Sequence, residues 1–115
     1  MPETSPESNA ALLKRTLLTG PADRARFLPL HHAAVTVDRA AALAAHDLRA
    51  AGGWTGGRID AVLLGMGEDG HICSMFPESP TLKTLLHPGI APTVLGVPPG
   101  RDGMAPPQER ISLNL

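Results

Sequence analysis

Residues 65–71, Gly65-Met66-Gly67-Glu68-Asp69-Gly70-His71, bring together the groups that a hydrolytic site needs. Glycines let backbone N–H groups come close to an anion, because no Cβ stands in the way. A histidine accepts a proton from water near neutral pH, and a neighbouring carboxylate orients it or balances its charge. Gly65, Gly67 and Gly70 also satisfy G-x-G-x-x-G. A dinucleotide fingerprint further requires an uninterrupted helix and an acidic residue about 20 positions on. Pro77 cuts any such helix short, and Leu86-His87-Pro88-Gly89-Ile90 supplies no carboxylate, so nucleotide binding is disfavoured. Cys73 has no basic neighbour in sequence to lower its pKa and reads as a small buried residue. His31 and His32 fall in an irregular stretch and read as solvated. Met66, Met75 and Phe76 read as core or pocket wall.

The elements that must position this loop follow from pattern. Ile59-Asp60-Ala61-Val62-Leu63-Leu64 is a short, nearly continuous apolar run, which suits a strand covered on both faces in a parallel sheet. Ligands of doubly wound folds bind beyond the carboxyl ends of such strands. His71 is therefore expected just past a strand at 59–64 and near the start of a short helix. Ser8 is placed to cap a helix over about 9–19, with Leu13 and Leu17 on one face. Gly20-Pro21 stops it. Thr36 is placed to cap a second helix, with Asp38 in its first turn and Ala41, Ala44, Leu48 and Ala51 as its apolar stripe. His46 falls on that helix's polar side, and Gly52-Gly53 ends it. Trp54, between glycine pairs, pins the loop that follows. Residues 94–97 read as another strand. Ile111, Leu113 and Leu115 alternate with Ser112 and Asn114, a strand with one buried face.

The 115 residues allow one domain or part of one. Aromatics are 3%, so the core is aliphatic. A net charge of −1 without a basic stripe argues against nucleic acid as a partner. No apolar run is long enough to span a bilayer, and the first residues lack a signal-peptide pattern. A single cysteine excludes an internal disulfide and fits a reducing cytoplasm. The final strand reaches the last residue with nothing to cover it, so the chain reads as a middle piece of something larger. Val62, Leu63 or Leu64 is then expected to stay partly exposed.

Residues 65–77, G-M-G-E-D-G-H-I-C-S-M-F-P, closely resemble the 6-phosphogluconolactonase signature G-M-G-x-D-G-H-T-A-S-L-F-P. Residues 106–115, P-P-Q-E-R-I-S-L-N-L, are similar to that family's P-P-x-x-R-I-T-L-T-L. Ser8-Asn9 before a leucine-rich helix is a third, weaker match. The three agree in order and spacing, so the resemblance covers essentially the whole chain. Ile72 and Cys73 depart from the usual Thr-Ala.

The resemblance implies an α/β fold, here a fragment of a Rossmann-like, mostly parallel sheet flanked by helices. It implies that residues 1–115 are a partial domain, truncated at both ends relative to proteins about twice as long. The implied activity is hydrolysis of 6-phosphoglucono-1,5-lactone to 6-phosphogluconate in the pentose phosphate pathway. The implied partner is a small phosphorylated sugar lactone, with no nucleic acid, no membrane, and no metal or organic cofactor. By resemblance His71 is the base that activates water, Asp69 places it or the substrate, and Arg110 binds the 6-phosphate. Gly67 and Gly70 let the substrate approach the backbone. Plainer readings stay open beside these: His71 capping a turn, Asp69 stabilising one, and Arg110 as an ordinary edge-strand charge. Two rival functions also stand. One is a glucosamine-6-phosphate deaminase-like enzyme, although that branch usually continues A-F-N-E-P where this chain has Cys73-Ser74-Met75-Phe76-Pro77. The other is an inactive remnant.

Overall fold

A computed structural model describes residues 2–33, 36–52, 59–100 and 107–115. The expectations placed on Gly53, Trp54 and Pro106 lie outside the described residues. Helix α1 (Asn9–Thr16) starts where expected, because the Ser8 hydroxyl accepts a hydrogen bond from the Ala11 N–H at 3.3 Å. It stops short of the expected Thr19. The Thr16 hydroxyl bonds the Leu12 carbonyl at 2.8 Å, and Gly20-Pro21 opens a 3-10 turn (Gly20–Ala22). Leu13 is half-buried, while Leu17 is left exposed beyond the helix.

Helix α2 (Val37–Ala50) is capped by Thr36, whose hydroxyl accepts from the Arg39 N–H at 3.3 Å. Ala40, Ala41, Ala44 and Ala45 are its buried face. Their small side chains let the helix lie close against a two-stranded sheet of β1 (Val94–Val97) and β2 (Arg110–Leu113). A one-turn helix α3 (Leu82–Leu85) places Leu85 fully out of solvent, a burial that stabilises the fold by about 1.5–3 kcal/mol.

The described strand pair does not show the expected mostly parallel arrangement. β1 and β2 are antiparallel, with Val94 opposite Leu113 and Val97 opposite Arg110. A parallel pair needs a long crossover, usually a helix. The connection here carries Pro98, Pro99, Pro106 and Pro107, which lack the N–H groups that a helix interior requires. The expectation of one buried face on the last strand is likewise corrected. Ile111 and Leu113 pack towards α2 with Val94, as their alternation predicts. The opposite face is covered too: Ser112 is only 3% exposed. Its neighbour in register, Leu95, belongs to a second cluster built on Met75, Leu85 and Val97. The sheet is thus a partition, with α2 on one side and the segment 72–85 on the other.

Residues 59–64 are the largest departure. They form no strand ladder; Leu63 is 98% exposed and Val62 60%. A strand is held by hydrogen bonds to a neighbour, and no described residue offers any to this run. Exposure was expected of Val62, Leu63 or Leu64, and all three are exposed.

Downstream, Ser79 N–H bonds the Phe76 carbonyl at 3.2 Å, with Pro77 and Glu78 at the centre of the turn. Glu78 has φ 61° and is exposed, the geometry of a type II turn that favours glycine at that position. Glu78→Gly is therefore expected to stabilise the chain by about 0.5–1 kcal/mol, relief of the left-handed strain outweighing glycine's greater chain entropy. Urea unfolding checks this, through a higher midpoint at unchanged slope.

Candidate active site

The signature loop is a tight antiparallel turn. Met66 and Ile72 form its closing bridge. Inside it, Gly67 N–H donates to the His71 carbonyl at 2.9 Å and Gly70 N–H to the Gly67 carbonyl at 3.0 Å. Gly70 has φ 83°, which a residue with a Cβ adopts only under strain. Gly67 is needed for a different reason: a Cβ there would collide with the His71 ring and the Asp69 carboxylate. His71 thus sits in a turn. It does not follow a laddered strand or open a helix, and the next helix begins only at Leu82.

Within the turn, Asp69 Oδ1 accepts two hydrogen bonds from one residue, His71 N–H at 3.2 Å and His71 Nδ1 at 2.5 Å. The second assigns the ring proton to Nδ1, facing the carboxylate. In the neutral ring that leaves Nε2 as the acceptor, and no described residue hydrogen-bonds to it. His71 keeps 26% of its side chain exposed and Asp69 46%, so a solvent-borne molecule can reach the pair.

Asp69 is held below the ordinary carboxylate pKa, first by the His71 ring and then by the His71 N–H. A depressed native pKa means a contact fully present above the unfolded value of about 3.9 and lost as pH falls through the lower native value. The Asp69 carboxyl carbon is therefore expected to titrate below the ordinary range by NMR, and to move back up in His71→Ala. An ordinary midpoint in the unmodified chain would mean that the contact is absent.

Arg110 reaches the same region from the sheet. It lies on β2 on the same face as Ser112, and its guanidinium carbon is 5.4 Å from the centre of the Phe76 ring. The His71 ring centroid is 4.3 Å from that same ring, tilted by 38°. The Ser74 N–H donates to the Ser112 hydroxyl at 3.2 Å, which ties the loop to the strand. Arg110 Nε is buried and has no hydrogen-bond partner among the described residues. Arg110 and Ser74 also line a cleft of about 980 Å³ with Ser8, Asn9, Phe27 and His31; His71 and Asp69 do not line it. The structure therefore gathers Gly67, Asp69, Gly70 and His71 in one turn and joins Arg110 to them through Phe76.

Phe76 and Ser112 are the residues whose part the sequence did not disclose. Phe76 reads only as core or pocket wall, and Ser112 reads as solvent-facing by alternation. The available signal was their place inside the two signature segments. Cys73 is half-buried against the Met75–Leu85–Val97 cluster, close to the expectation of a small buried residue. His32 is not simply solvated: Nε2 is buried 3.5 Å from Asp47 Oδ2, within ion-pair reach but not aligned for a hydrogen bond. Burial likewise lowers the His31 pKa. Among the described residues no three His, Cys, Asp or Glu side chains converge as a metal set, and no helix is long and apolar enough to cross a membrane.

Residues 1–115 match the family described as glucosamine-6-phosphate isomerases/6-phosphogluconolactonase. A 6-phosphogluconolactonase of Mesorhizobium japonicum is 39% identical over 115 residues, all of this chain and 45% of the relative. One from Pseudomonas aeruginosa is 43% identical over 88 residues, 76% of this chain and 35% of the relative. The crystal structure of a 6-phosphogluconolactonase from Shewanella baltica superposes on 99% of this chain and 45% of its own, with a TM-score of 0.72 and 28% identity. The chain thus spans less than half the length of these relatives.

Proposed function

The chain belongs to the glucosamine-6-phosphate isomerase/6-phosphogluconolactonase family, and on that premise we propose that it carries the hydrolytic site of a 6-phosphogluconolactonase. The observation that carries this reading is the His71–Asp69 pair, with Nδ1 facing the carboxylate at 2.5 Å and Nε2 without a partner among the described residues. Residues 1–115 are read as a partial domain of a Rossmann-like α/β fold. In the complete fold, residues 59–64 take their place as a strand of a mostly parallel sheet, whose neighbours would cover Val62, Leu63 and Leu64.

The substrate is 6-phosphoglucono-1,5-lactone. His71 Nε2 takes a proton from water as the water oxygen attacks the lactone carbonyl, and Asp69 stabilises the imidazolium that forms. The ester bond to the ring oxygen then breaks, and that oxygen takes the proton back from His71. The product is 6-phosphogluconate, formed with release of a proton to solvent. A lactone is already an activated ester, so one base and a few placed donors suffice without a metal or organic cofactor. Arg110 holds the 6-phosphate with its planar, permanently charged fork, and the unpartnered Nε supports that role. Gly67 and Gly70 keep the turn open to the substrate. On this reading the reaction belongs to the pentose phosphate pathway and runs in the cytoplasm.

The test is a chimera in which this chain replaces the matching 115 residues of the Mesorhizobium japonicum relative. Acid release on adding the lactone, above the spontaneous rate, supports the reading. A folded chimera with no excess rate overturns it.

A further inference from the structure

We propose that Phe76 is a positioning residue for this reaction: its ring seats the His71 imidazole and receives the Arg110 guanidinium, fixing the base and the phosphate ligand relative to one another. The inference rests on the roles proposed above for those two residues. Phe76 is itself 4% exposed and anchored in the core next to Met75. Its ring lies 4.3 Å from that of His71 and 5.4 Å from the Arg110 guanidinium carbon.

The physical need is specific on both sides. The Nδ1–Oδ1 bond fixes one point of the imidazole and leaves the ring free to swing about that axis. A tilted aromatic face against the ring removes that freedom, and such contacts favour offset or tilted geometry. Among the described residues Arg110 has no hydrogen bond at its buried Nε, so the π-face of Phe76 is a contact that orients its guanidinium plane. The Ser74–Ser112 hydrogen bond holds the two segments together around this ring. A displacement of about 1 Å in a catalytic group costs up to 10²-fold in rate, so a shared rigid seat matters to the reaction although Phe76 touches no reacting atom.

The experiment uses NMR of the full chain. In the unmodified protein the His71 ring protons and the Arg110 Hε are expected to show ring-current displacement from Phe76. Phe76→Tyr keeps the ring and should preserve both displacements. Phe76→Leu keeps apolar bulk without the ring; it should abolish both and move the Asp69 carboxyl midpoint towards the ordinary value as the His71 contact loosens. Loss of only one displacement, or of neither, or an Asp69 midpoint that stays where it is in the unmodified chain, in folded Phe76→Leu overturns the proposal. If that variant does not fold, Arg110→Met removes the cation without touching the core, and the Phe76 and His71 signals must then shift together; an unmoved His71 overturns the proposal. None of these readouts requires turnover, whereas the catalytic reading is judged by lactone hydrolysis, so failure of one is distinguishable from failure of the other.

Discussion

In the chimera with the Mesorhizobium japonicum relative, His71→Ala is expected to lower kcat by ~10²–10⁴-fold, the usual effect of removing a general base. Water is a poor nucleophile until a proton leaves it, and the described turn offers one acceptor suited to that task near neutral pH. The Nδ1 proton is committed to Asp69 at 2.5 Å, so Nε2 keeps the lone pair that accepts from water. The loss should fall on kcat, because the proton moves only in the transition state. Spontaneous lactone hydrolysis sets a floor and must be subtracted. Asp69→Asn should give a smaller loss, since the amide still holds the turn but no longer balances the imidazolium. Near-normal turnover in His71→Ala at neutral pH would remove the base assignment. The turn itself should survive the substitution, because its Gly67–His71 and Gly70–Gly67 bonds are made by backbone alone.

The caps, both long helices and both strands were legible in the sequence because each rests on local chemistry. Ser8 and Thr36 are hydroxyls that meet the free N–H groups of a first turn, and both do so. The alanine stripe of α2 needed only its 3.6-residue period. The strand expected at 59–64 depended instead on partners, since its apolar run describes what would cover it and cannot supply the covering. The direction of the one described pair was not read for a related reason: the expectation of a mostly parallel sheet weighed the apolar runs, whereas the proline-bearing connection between β1 and β2 suits an antiparallel return. At the site, the glycines, Asp69 and His71 were readable because they lie within seven consecutive residues, at a spacing that a tight turn brings into contact. Phe76 was not, because its part depends on a strand that begins at Arg110 and returns beside the loop.

Arg110→Ala in the same chimera is expected to raise KM by roughly ten- to hundredfold, with a smaller fall in kcat. A charge-assisted hydrogen bond contributes about 1.5–3 kcal/mol, and each 1.36 kcal/mol is tenfold. The 6-phosphate stands at the far end of the lactone and keeps its charge while the carbonyl reacts. Its contact with Arg110 therefore favours ground and transition states almost equally, which is the condition for an effect on KM. The residual fall in kcat comes through Phe76, whose ring loses the guanidinium 5.4 Å from its centre while still seating the His71 imidazole. Arg110→Lys separates charge from shape. It keeps the cation but loses the planar fork and the Nε donor, so it should recover only part of the affinity. Steady-state kinetics across the three side chains decide the matter: an unchanged KM in Arg110→Ala removes the phosphate assignment, and it does so whatever the fate of His71.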